Sequence, residues 1–233
     1  MLTEFIIGAV AGSFVNVMVI RGQRNEDYVL SRSRCPVCGH VLEWFDLIPL
    51  LSYVFLKGKC RYCQTHISIR YLFVEVIGGI LGLLSNTIYD FLIFMVLLAI
   101  ALYDHDTMEI RNSYIIFLFA VSVLTVDKCY LKDHLIGAFL VSVPMLIMAF
   151  LFKGFGGADV KLMSVCGFWL GTERILLSFS IGCLTASGYS LFQIMKKKKT
   201  LKSRIPFAPF LSLGIIIGYL YGYRLIDFYE TLI

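Results

Sequence analysis

The chain of 233 residues is 58% hydrophobic and only 16% charged, and it carries a net charge of +5. An ordinary soluble domain has about 25% charged residues, so this composition, with a mean hydropathy of +0.80, excludes a soluble globular domain. It indicates a protein that crosses the membrane several times. With about 20 residues per span, the length allows about seven or eight helices with short loops and one larger insert.

Eight apolar runs along the chain predict the membrane-spanning helices. The first, residues 2–20, has neither the basic leader nor the cleavage site of a signal peptide, so we interpret it as a retained helix. The other runs are residues 71–88, 91–103, 114–126, 135–152, 160–171, 175–195 and 206–226. The runs 91–103, 114–126 and 160–171 are shorter than about 17 residues, so their helices must extend through polar ends or cross a thinned bilayer. We therefore expect Asp104 to lie within a helix end.

Basic residues collect in two segments and predict the orientation of the chain. Eight of them stand in the hydrophilic segment 21–70: Arg21, Arg24, Arg32, Arg34, Lys57, Lys59, Arg61 and Arg70. The second cluster lies between residues 196 and 204. Because basic loops next to spans stay in the cytoplasm, both segments should be cytoplasmic, and eight alternating passes do place them on one side.

The predicted architecture is an all-α, polytopic bundle of about eight spans with a small cytoplasmic insert. Residues 1–20 form the first transmembrane helix, residues 21–70 the insert and residues 71–233 the helical core.

Two C-x-x-C pairs in the insert, Cys35 with Cys38 and Cys60 with Cys63, stand about twenty residues apart. This spacing predicts a structural zinc site in which each pair gives two thiolates to one tetrahedral ion. A cytoplasmic location keeps thiols reduced and so favours metal over disulfides. Redox-active or disulfide-linked pairs and unligated thiols remain the alternatives at this point.

Two segments at the predicted cytoplasmic edge carry aspartates: LYDHDTMEIRN with Asp104, and GFGGADVK with Asp159. Ionisable groups at a membrane span are unfavourable and therefore indicate a function. Two carboxylates that share a site hold one proton between them, which is what an aspartic protease requires. Glycines at positions Gly154, Gly156 and Gly157 would let a substrate backbone approach closely. Carboxylates of an ion relay, or structural acids in salt bridges, are the alternatives.

Short motifs occur in order along almost the whole chain. They are GSFVNV at residues 12–17, IPLLSY at 48–53, ISIRY at 67–71, the pair Val74-Glu75, and PFAPFL at 206–211. With the cysteine insert and the two aspartate segments, the chain resembles the prepilin peptidase family. These enzymes are GxGD-type membrane aspartic proteases that process type IV prepilins and related pseudopilins.

The resemblance implies roles for individual residues in the two aspartate segments. Asp104 matches the first catalytic aspartate of the family and Asp159 matches the second. Asp106 is a neighbouring acid that many members also carry, and it is the second choice for the first position. Lys161 falls where the family has a lysine just after the second aspartate, and we interpret it as a side chain that reaches for the interface.

The chain departs from the family pattern at two positions. Ala158 stands before the second aspartate where GxGD expects Gly, so a positive φ there would be strained. Arg111 precedes Asn112 where the family usually has Pro, which alters how the next helix begins.

The resemblance also implies a function. Such enzymes cut a basic leader from a precursor whose apolar helix lies in the membrane, on the cytoplasmic side of a bacterial inner membrane. Many with the cysteine insert also N-methylate the new N-terminus with S-adenosylmethionine, although the chain has no G-x-G-x-x-G loop and its cofactor-binding residues are not assigned.

The expected partners are a prepilin or a competence pseudopilin and the lipid bilayer, with no nucleic acid. A transporter that uses the acids as an ion relay, or a non-catalytic pilus assembly factor, is the alternative function.

Overall fold

A computed structural model describes residues 1–28, 31–152, 156–196 and 205–232. The described residues form α-helices without strands, which confirms the all-α prediction. The helices are α1 (Leu2–Gln23), α2 (Leu51–Phe55), α3 (Arg70–Leu84), α4 (Ile88–Thr107), α5 (Asn112–Thr125), α6 (Leu131–Leu140), α7 (Ser142–Phe152), α8 (Gly157–Leu170), α9 (Thr172–Met195) and α10 (Ala208–Leu232). Two short 3₁₀ helices, Trp44–Leu47 and Lys128–Tyr130, complete the set.

Five helical segments among the described residues are long and apolar enough to cross a membrane: Leu2–Gln23, Ile88–Thr107, Leu131–Leu151, Thr172–Met195 and Ala208–Phe228. Helix α3 has 15 residues, and α5 and α8 have 14 residues each. The short run 91–103 lengthens into its polar flanks, as expected, so that α4 ends at Thr107 and Asp104 lies inside the helix.

The hydropathy pattern predicts one helix over the apolar run 135–152, but the structure shows two. Helix α6 ends at Leu140 and α7 begins at Ser142, so the break falls at Val141. Pro144 explains it, because proline has no N–H to donate to the carbonyl of Leu140 and its ring crowds that carbonyl. The regular bonding resumes with the Met145 N–H, which donates to the Val141 carbonyl at 3.1 Å.

The chain forms two compact units, Met1–Ala99 and Ile100–Ile233. In the first unit, α1 and α3 run antiparallel with their backbones in close contact. A Cβ on Gly78 would lie 2.5 Å from the Gly8 carbonyl oxygen, and one on Gly12 would lie 2.8 Å from the Val74 carbonyl oxygen. Small residues let membrane helices approach this closely, and dispersion contacts then hold the pair.

Beyond these glycines, α1 and α3 are joined by polar side chains. Ser13 Oγ donates a hydrogen bond to Glu75 Oε1 at 2.8 Å, and Arg70 Nε donates to Asn16 Oδ1 at 3.0 Å. The Leu50 N–H donates to Glu75 Oε2 at 2.8 Å and ties the insert to α3. Both carboxylate oxygens of this buried acid therefore have donors, as burial of a charge demands.

In the second unit, α8 packs against α5, α6, α7 and α9, while α9 and α10 form a long pair. Gly137 of α6 and Gly167 of α8 bring their backbones into contact, since a Cβ on Gly137 would lie 2.6 Å from the Gly167 carbonyl oxygen. At the C-terminal end of α8, Thr172 Oγ1 donates to Asp133 Oδ1 at 2.5 Å and joins α9 to α6. This packing fixes α8, whose first turn carries Asp159.

Candidate active site

Asp104 lies in the last turn of α4 and is only 6% exposed. Its Oδ2 accepts a hydrogen bond of 2.9 Å from the backbone N–H of Ala208, the first residue of α10. The first N–H groups of a helix have no partner within it, and that end carries a partial positive charge, so it suits a carboxylate. Pro206 and Pro209 flank Ala208 where their missing N–H groups do no harm. The PFAPFL motif thus supplies the backbone N–H that donates a hydrogen bond to Asp104.

Asp159 lies in the first turn of α8, ahead of the apolar part of that helix, and its side chain is half-buried. Gly156 precedes the helix, and a Cβ there would lie 3.1 Å from Asp159 Oδ2. A side chain at this position would therefore press on the carboxylate. The Gly156 φ of −72° is an ordinary value, so the glycine supplies space and not a special conformation.

The other small residues before Asp159 have different outcomes. Gly157 faces open space, because nothing lies within 4 Å of a Cβ built there. Ala158 is helical and its φ is not positive, so the departure from Gly introduces no strain. Gly154 lies outside the described residues.

The two aspartates act on each other electrostatically. Burial of the carboxyl group and the negative charge of Asp104 raise the pKa of Asp159 to about 6, against a lowering effect of its hydrogen bond to Gly156. Like charges that act on each other disfavour double ionisation. Both residues, which lie far apart in the sequence, belong to the Ile100–Ile233 unit, and the charge of one affects the pKa of the other.

Asp106, the second choice for the first position, lies on α4 with 18% of its side chain exposed. Its Oδ1 lies 3.3 Å from Nδ1 of His105, whose side chain is 71% exposed. Of the two acids, only Asp104 is buried and bonded to the start of α10. This geometry favours Asp104 for the reacting position.

Lys161 does not form an ion pair with Asp159 in the described structure. Its Nζ donates a hydrogen bond of 3.1 Å to Oδ1 of Asn112, the first residue of α5, and so links the starts of α5 and α8. Arg111, just before that helix, has a φ of −71° and a ψ of 128°. Proline prefers the same φ, so the departure at this position leaves the start of α5 unchanged.

The four insert cysteines form a second candidate site. Their sulfur atoms, those of Cys35, Cys38, Cys60 and Cys63, all lie within 4.8 Å of one another. The Cys35 and Cys63 sulfurs are 3.8 Å apart, which is close to the edge of a tetrahedron with Zn–S bonds of about 2.3 Å. The cluster could therefore hold one metal ion.

The two cysteine pairs adopt the same local structure. The Cys35 N–H donates to the His40 carbonyl and the Cys60 N–H to the Thr65 carbonyl, both at 2.9 Å. Each loop then turns through a residue with positive φ, Gly39 at 70° and Gln64 at 58°. Such loops direct N–H groups toward the sulfurs, as is usual around structural zinc.

Sequence reasoning missed one functional contact, the Ala208 N–H that donates to Asp104. A backbone donor leaves no side-chain signature, so only the paired prolines around position 208 offered a signal.

Comparison with known proteins gives consistent matches. Two family models match the chain, the Bacterial Peptidase A24 N-terminal domain over residues 6–89 and the Type IV leader peptidase family over residues 91–191. The chain is 33% identical to the prepilin leader peptidase/N-methyltransferase of Bacillus subtilis (strain 168), over 97% of this chain and 96% of that protein. It is 29% identical to the protein of the same description from Vibrio cholerae serotype O1, over 91% of this chain and 93% of that one. No solved structure matches it.

Proposed function

Since the chain belongs to the type IV leader peptidase family, we propose that it cleaves the leader of a prepilin or competence pseudopilin with Asp104 and Asp159 at the cytoplasmic edge of the membrane. The matches to known proteins confirm the family resemblance of the motifs, and the chain is a membrane peptidase. The observation that supports the mechanism is the placement of the two acids at helix ends: Asp104 is buried in the last turn of α4 and bonded to the Ala208 N–H, and Asp159 lies in the first turn of α8. The family match does not favour a transporter or a non-catalytic assembly factor.

The proposed mechanism divides the work between the two acids. Asp104, bonded to the Ala208 N–H, is ionised and takes a proton from the water that attacks the peptide carbonyl carbon. Asp159, which keeps its proton more readily, donates a hydrogen bond to the carbonyl oxygen as negative charge develops there. When the tetrahedral intermediate collapses, the C–N bond breaks and a proton passes to the leaving amine nitrogen.

The substrate fits the proposed location of the site. A basic leader stays in the cytoplasm by the same charge rule that places the insert there. The apolar helix of the precursor lies in the bilayer beside the enzyme, which delivers the junction between the two to the interface. Exposed Gly157 leaves the approach to Asp159 open for an extended backbone.

Zinc would be held by Cys35, Cys38, Cys60 and Cys63. A closed shell of four thiolates has no position for water or substrate, so the ion would be structural. Its binding energy would fold an insert that contains only one short α-helix and a 3₁₀ turn.

S-adenosylmethionine, if bound, supplies the methyl group for the amine that cleavage releases. Asn16 fits such a ligand, because its fully buried Nδ2 has no hydrogen-bond partner within the described part of the chain. A carboxylate is a suitable acceptor for that donor. Direct binding of labelled S-adenosylmethionine to Asn16→Ala should be weaker than to the unaltered protein, and equal binding would remove Asn16 from this role.

The test of the peptidase proposal is co-expression with a prepilin. Asp104→Asn and Asp159→Asn should each leave the leader attached at unchanged enzyme abundance. Asp106→Asn is the matched control, since it makes the same change at the acid two positions away, and it should cleave normally. Loss of cleavage in Asp106→Asn together with normal cleavage in Asp104→Asn would overturn the assignment.

The proposed orientation has a separate test. Alkaline phosphatase, which folds only outside the cytoplasm, should be inactive when fused after residue 108 and equally inactive when fused after residue 156. Activity in one fusion and not in the other would place the two acids on opposite sides of the membrane, and no proton could then be shared.

A further inference from the structure

The insert exposes an unusual number of large apolar side chains on one edge, outside its cysteine cluster. Trp44 is 75% exposed and Phe55 80% exposed, and Leu47, Leu51 and Val54 are each exposed by 45% or more. We call these five residues the apolar edge. Single exposed apolar residues need no explanation, but a contiguous group marks an interaction surface.

The residues of the apolar edge lie on two short helices that are tied together. Leu51, Val54 and Phe55 have the i, i+3, i+4 spacing that places side chains on one face of a helix, here α2. The 3₁₀ helix Trp44–Leu47 is tied to α2 because Ser52 Oγ donates to the Phe45 carbonyl at 2.6 Å. Trp44 and the face of α2 therefore belong to a single folded element.

Polar contacts behind the edge hold it in place. Arg61 Nε donates to Asp46 Oδ1 at 2.8 Å, and the Tyr62 hydroxyl donates to Asp46 Oδ2 at 3.1 Å. The Arg61 guanidinium also lies 4.9 Å from the centre of the Phe45 ring. These contacts turn the polar side of the element toward the second cysteine pair, so the apolar side chains are presented outward by a fixed scaffold.

The neighbouring chain identifies the surface that the edge meets. The insert leaves α1 at Gln23 and enters α3 at Arg70, and both helices are strongly apolar, so the insert is anchored beside the membrane at both of its ends. Exposed Lys57 lies two residues after Phe55, the last residue of the apolar edge. The segment 21–70 carries eight basic against four acidic side chains, a charge that anionic headgroups attract. Tryptophan is also enriched at membrane interfaces, where lysine side chains reach toward the headgroups.

We propose that the apolar edge inserts into the headgroup region of the adjacent leaflet and holds the cysteine cluster at a fixed height on the membrane. The ligand is a lipid surface that contains anionic headgroups. Trp44 and Phe55 enter the boundary between headgroups and acyl chains, while Lys57 contacts lipid phosphates. This inference is independent of the peptidase mechanism, because it concerns neither aspartate.

Tryptophan fluorescence in lipid nanodiscs tests the proposal. The chain has two tryptophans, Trp44 and Trp169, so Trp169→Phe leaves Trp44 as the only strong emitter. Trp169 is buried against Tyr219 at 4.6 Å between ring centres, and phenylalanine preserves that contact. Lipids brominated high on the acyl chain should quench Trp44 by roughly twofold, and lipids brominated near the bilayer centre should quench it less, because an interfacial ring lies close to the headgroups.

Trp44→Phe is the matched blank, since it retains only Trp169 and reports the quenching that does not come from the edge. Trp44 emission that is typical of water and unaffected by brominated lipids would overturn the proposal. Protection of Trp44 without bromine quenching would equally overturn it, because a second copy of the chain or a soluble protein would then cover the edge.

Charge dependence gives a second readout that does not depend on the Trp169→Phe background folding well. Lys57→Gln should shift the insert toward the undocked state by about fivefold in discs with anionic lipid, since one basic residue near such a surface contributes about 1 kcal/mol. Protease cleavage within residues 43–56 measures the undocked fraction. An identical effect of Lys57→Gln in purely zwitterionic discs would contradict the headgroup attraction.

Discussion

Each of the two units buries a carboxylate near a helix end, and the surroundings of the two acids differ. Glu75 in the Met1–Ala99 unit is 7% exposed, and Ser13 and Leu50 donate to its two oxygens. Asp104 in the Ile100–Ile233 unit is 6% exposed and has a backbone donor at Ala208, but its charge also acts on a second acid, Asp159.

The difference is the one that we expect between a structural acid and the proposed reactive one. Burial is almost equal, so burial alone does not identify a functional carboxylate. Glu75 joins three segments of chain through its donors, which is what a buried polar network does for stability. The charge of Asp104 acts on a second acid, an effect that opposes stability and that the proposed sharing of a proton would use.

The sharpest test of this contrast replaces each acid by its amide. Asp104→Asn should reduce prepilin cleavage by about a thousandfold, because positioned acid–base groups contribute about 10²–10⁴-fold. Glu75→Gln should lower thermal stability instead, since a charge-assisted hydrogen bond is weakened. Cleavage rates and melting temperatures of the purified enzymes in one detergent measure both effects.

The opposite outcome would break the comparison. If Glu75→Gln lost cleavage a thousandfold at unchanged melting temperature, Glu75 would belong to the reaction and the units would not differ in role. If Asp104→Asn melted far below the unaltered protein, its lost cleavage would report unfolding.

Much of the contrast could be predicted from the sequence, but not all of it. Asp104 and Asp159 stand out because acids are rare next to apolar runs, and the predicted alternation of spans would place them on one side. The donor at Ala208 could not be predicted, because a backbone contact depends on tertiary packing. The interruption at Val141 was obscured by uninterrupted hydropathy, although Pro144 was a visible signal.

The packing of α1 against α3 also had a sequence signal that was not used. Gly8 and Gly12, and likewise Gly78 and Gly82, are four residues apart, the small-residue spacing of closely packed membrane helices. Hydropathy treats glycine as neutral, so the apolar runs predicted the helices and not which faces meet.

Removing the metal tests the structural region as a whole. Each chain should bind one zinc ion. Because structural zinc contributes about 10–16 kcal/mol to such folds, Cys38→Ser or a strong chelator should make the insert sensitive to protease. Zinc content and proteolysis between residues 31 and 69 measure this. A full zinc complement in Cys38→Ser, or an insert that resists protease without zinc, would contradict a four-cysteine site.

Glycine replacement tests the close helix pair of the first unit. Gly78→Ala places a Cβ 2.5 Å from the Gly8 carbonyl oxygen and 2.8 Å from Gly12 Cα, so α1 and α3 must separate. We expect a loss of about 1–3 kcal/mol in stability, as for other overpacked sites. Gly188→Ala in α9 is the control, because nothing lies within 4 Å of its Cβ. Equal melting temperatures for the two variants would contradict the close packing.

The pH dependence of cleavage tests the second unit. In the proposed mechanism the reactive form has Asp104 ionised and Asp159 protonated, and the pKa of Asp159 is raised to about 6. As pH rises above that value, this form should decrease about tenfold per pH unit, and kcat/KM should decrease with it. Initial rates with a soluble leader peptide give the profile. A rate that increases from pH 6 to pH 8 would show that the doubly ionised pair is active.

The smallest expected effect concerns the two cysteine loops. They have the same local fold, but the residue with positive φ at the turn differs between them. Gln64 has a φ of 58° where Gly39 has 70°, and a side chain in this region is unfavourable by about 1–2 kcal/mol relative to glycine's freedom to adopt it. Gln64→Gly should therefore stabilise the insert by up to about 1 kcal/mol. The gain is reduced by the loss of the exposed hydrogen bond that Gln64 Nε2 donates to the Arg61 carbonyl.

The reciprocal variant, Gly39→Gln, isolates the backbone effect, because nothing lies within 4 Å of a Cβ at Gly39 and packing cannot contribute. Gly39→Gln should destabilise the insert by about as much as Gln64→Gly stabilises it. The measurement is the zinc that each variant retains as the chelator concentration increases. Cleavage should remain unchanged in both variants, since a structural region can be made more or less stable without altering the acids that react. A change in cleavage that follows the change in zinc retention would show that the insert takes part in the reaction, and the contrast between the two units would then fail.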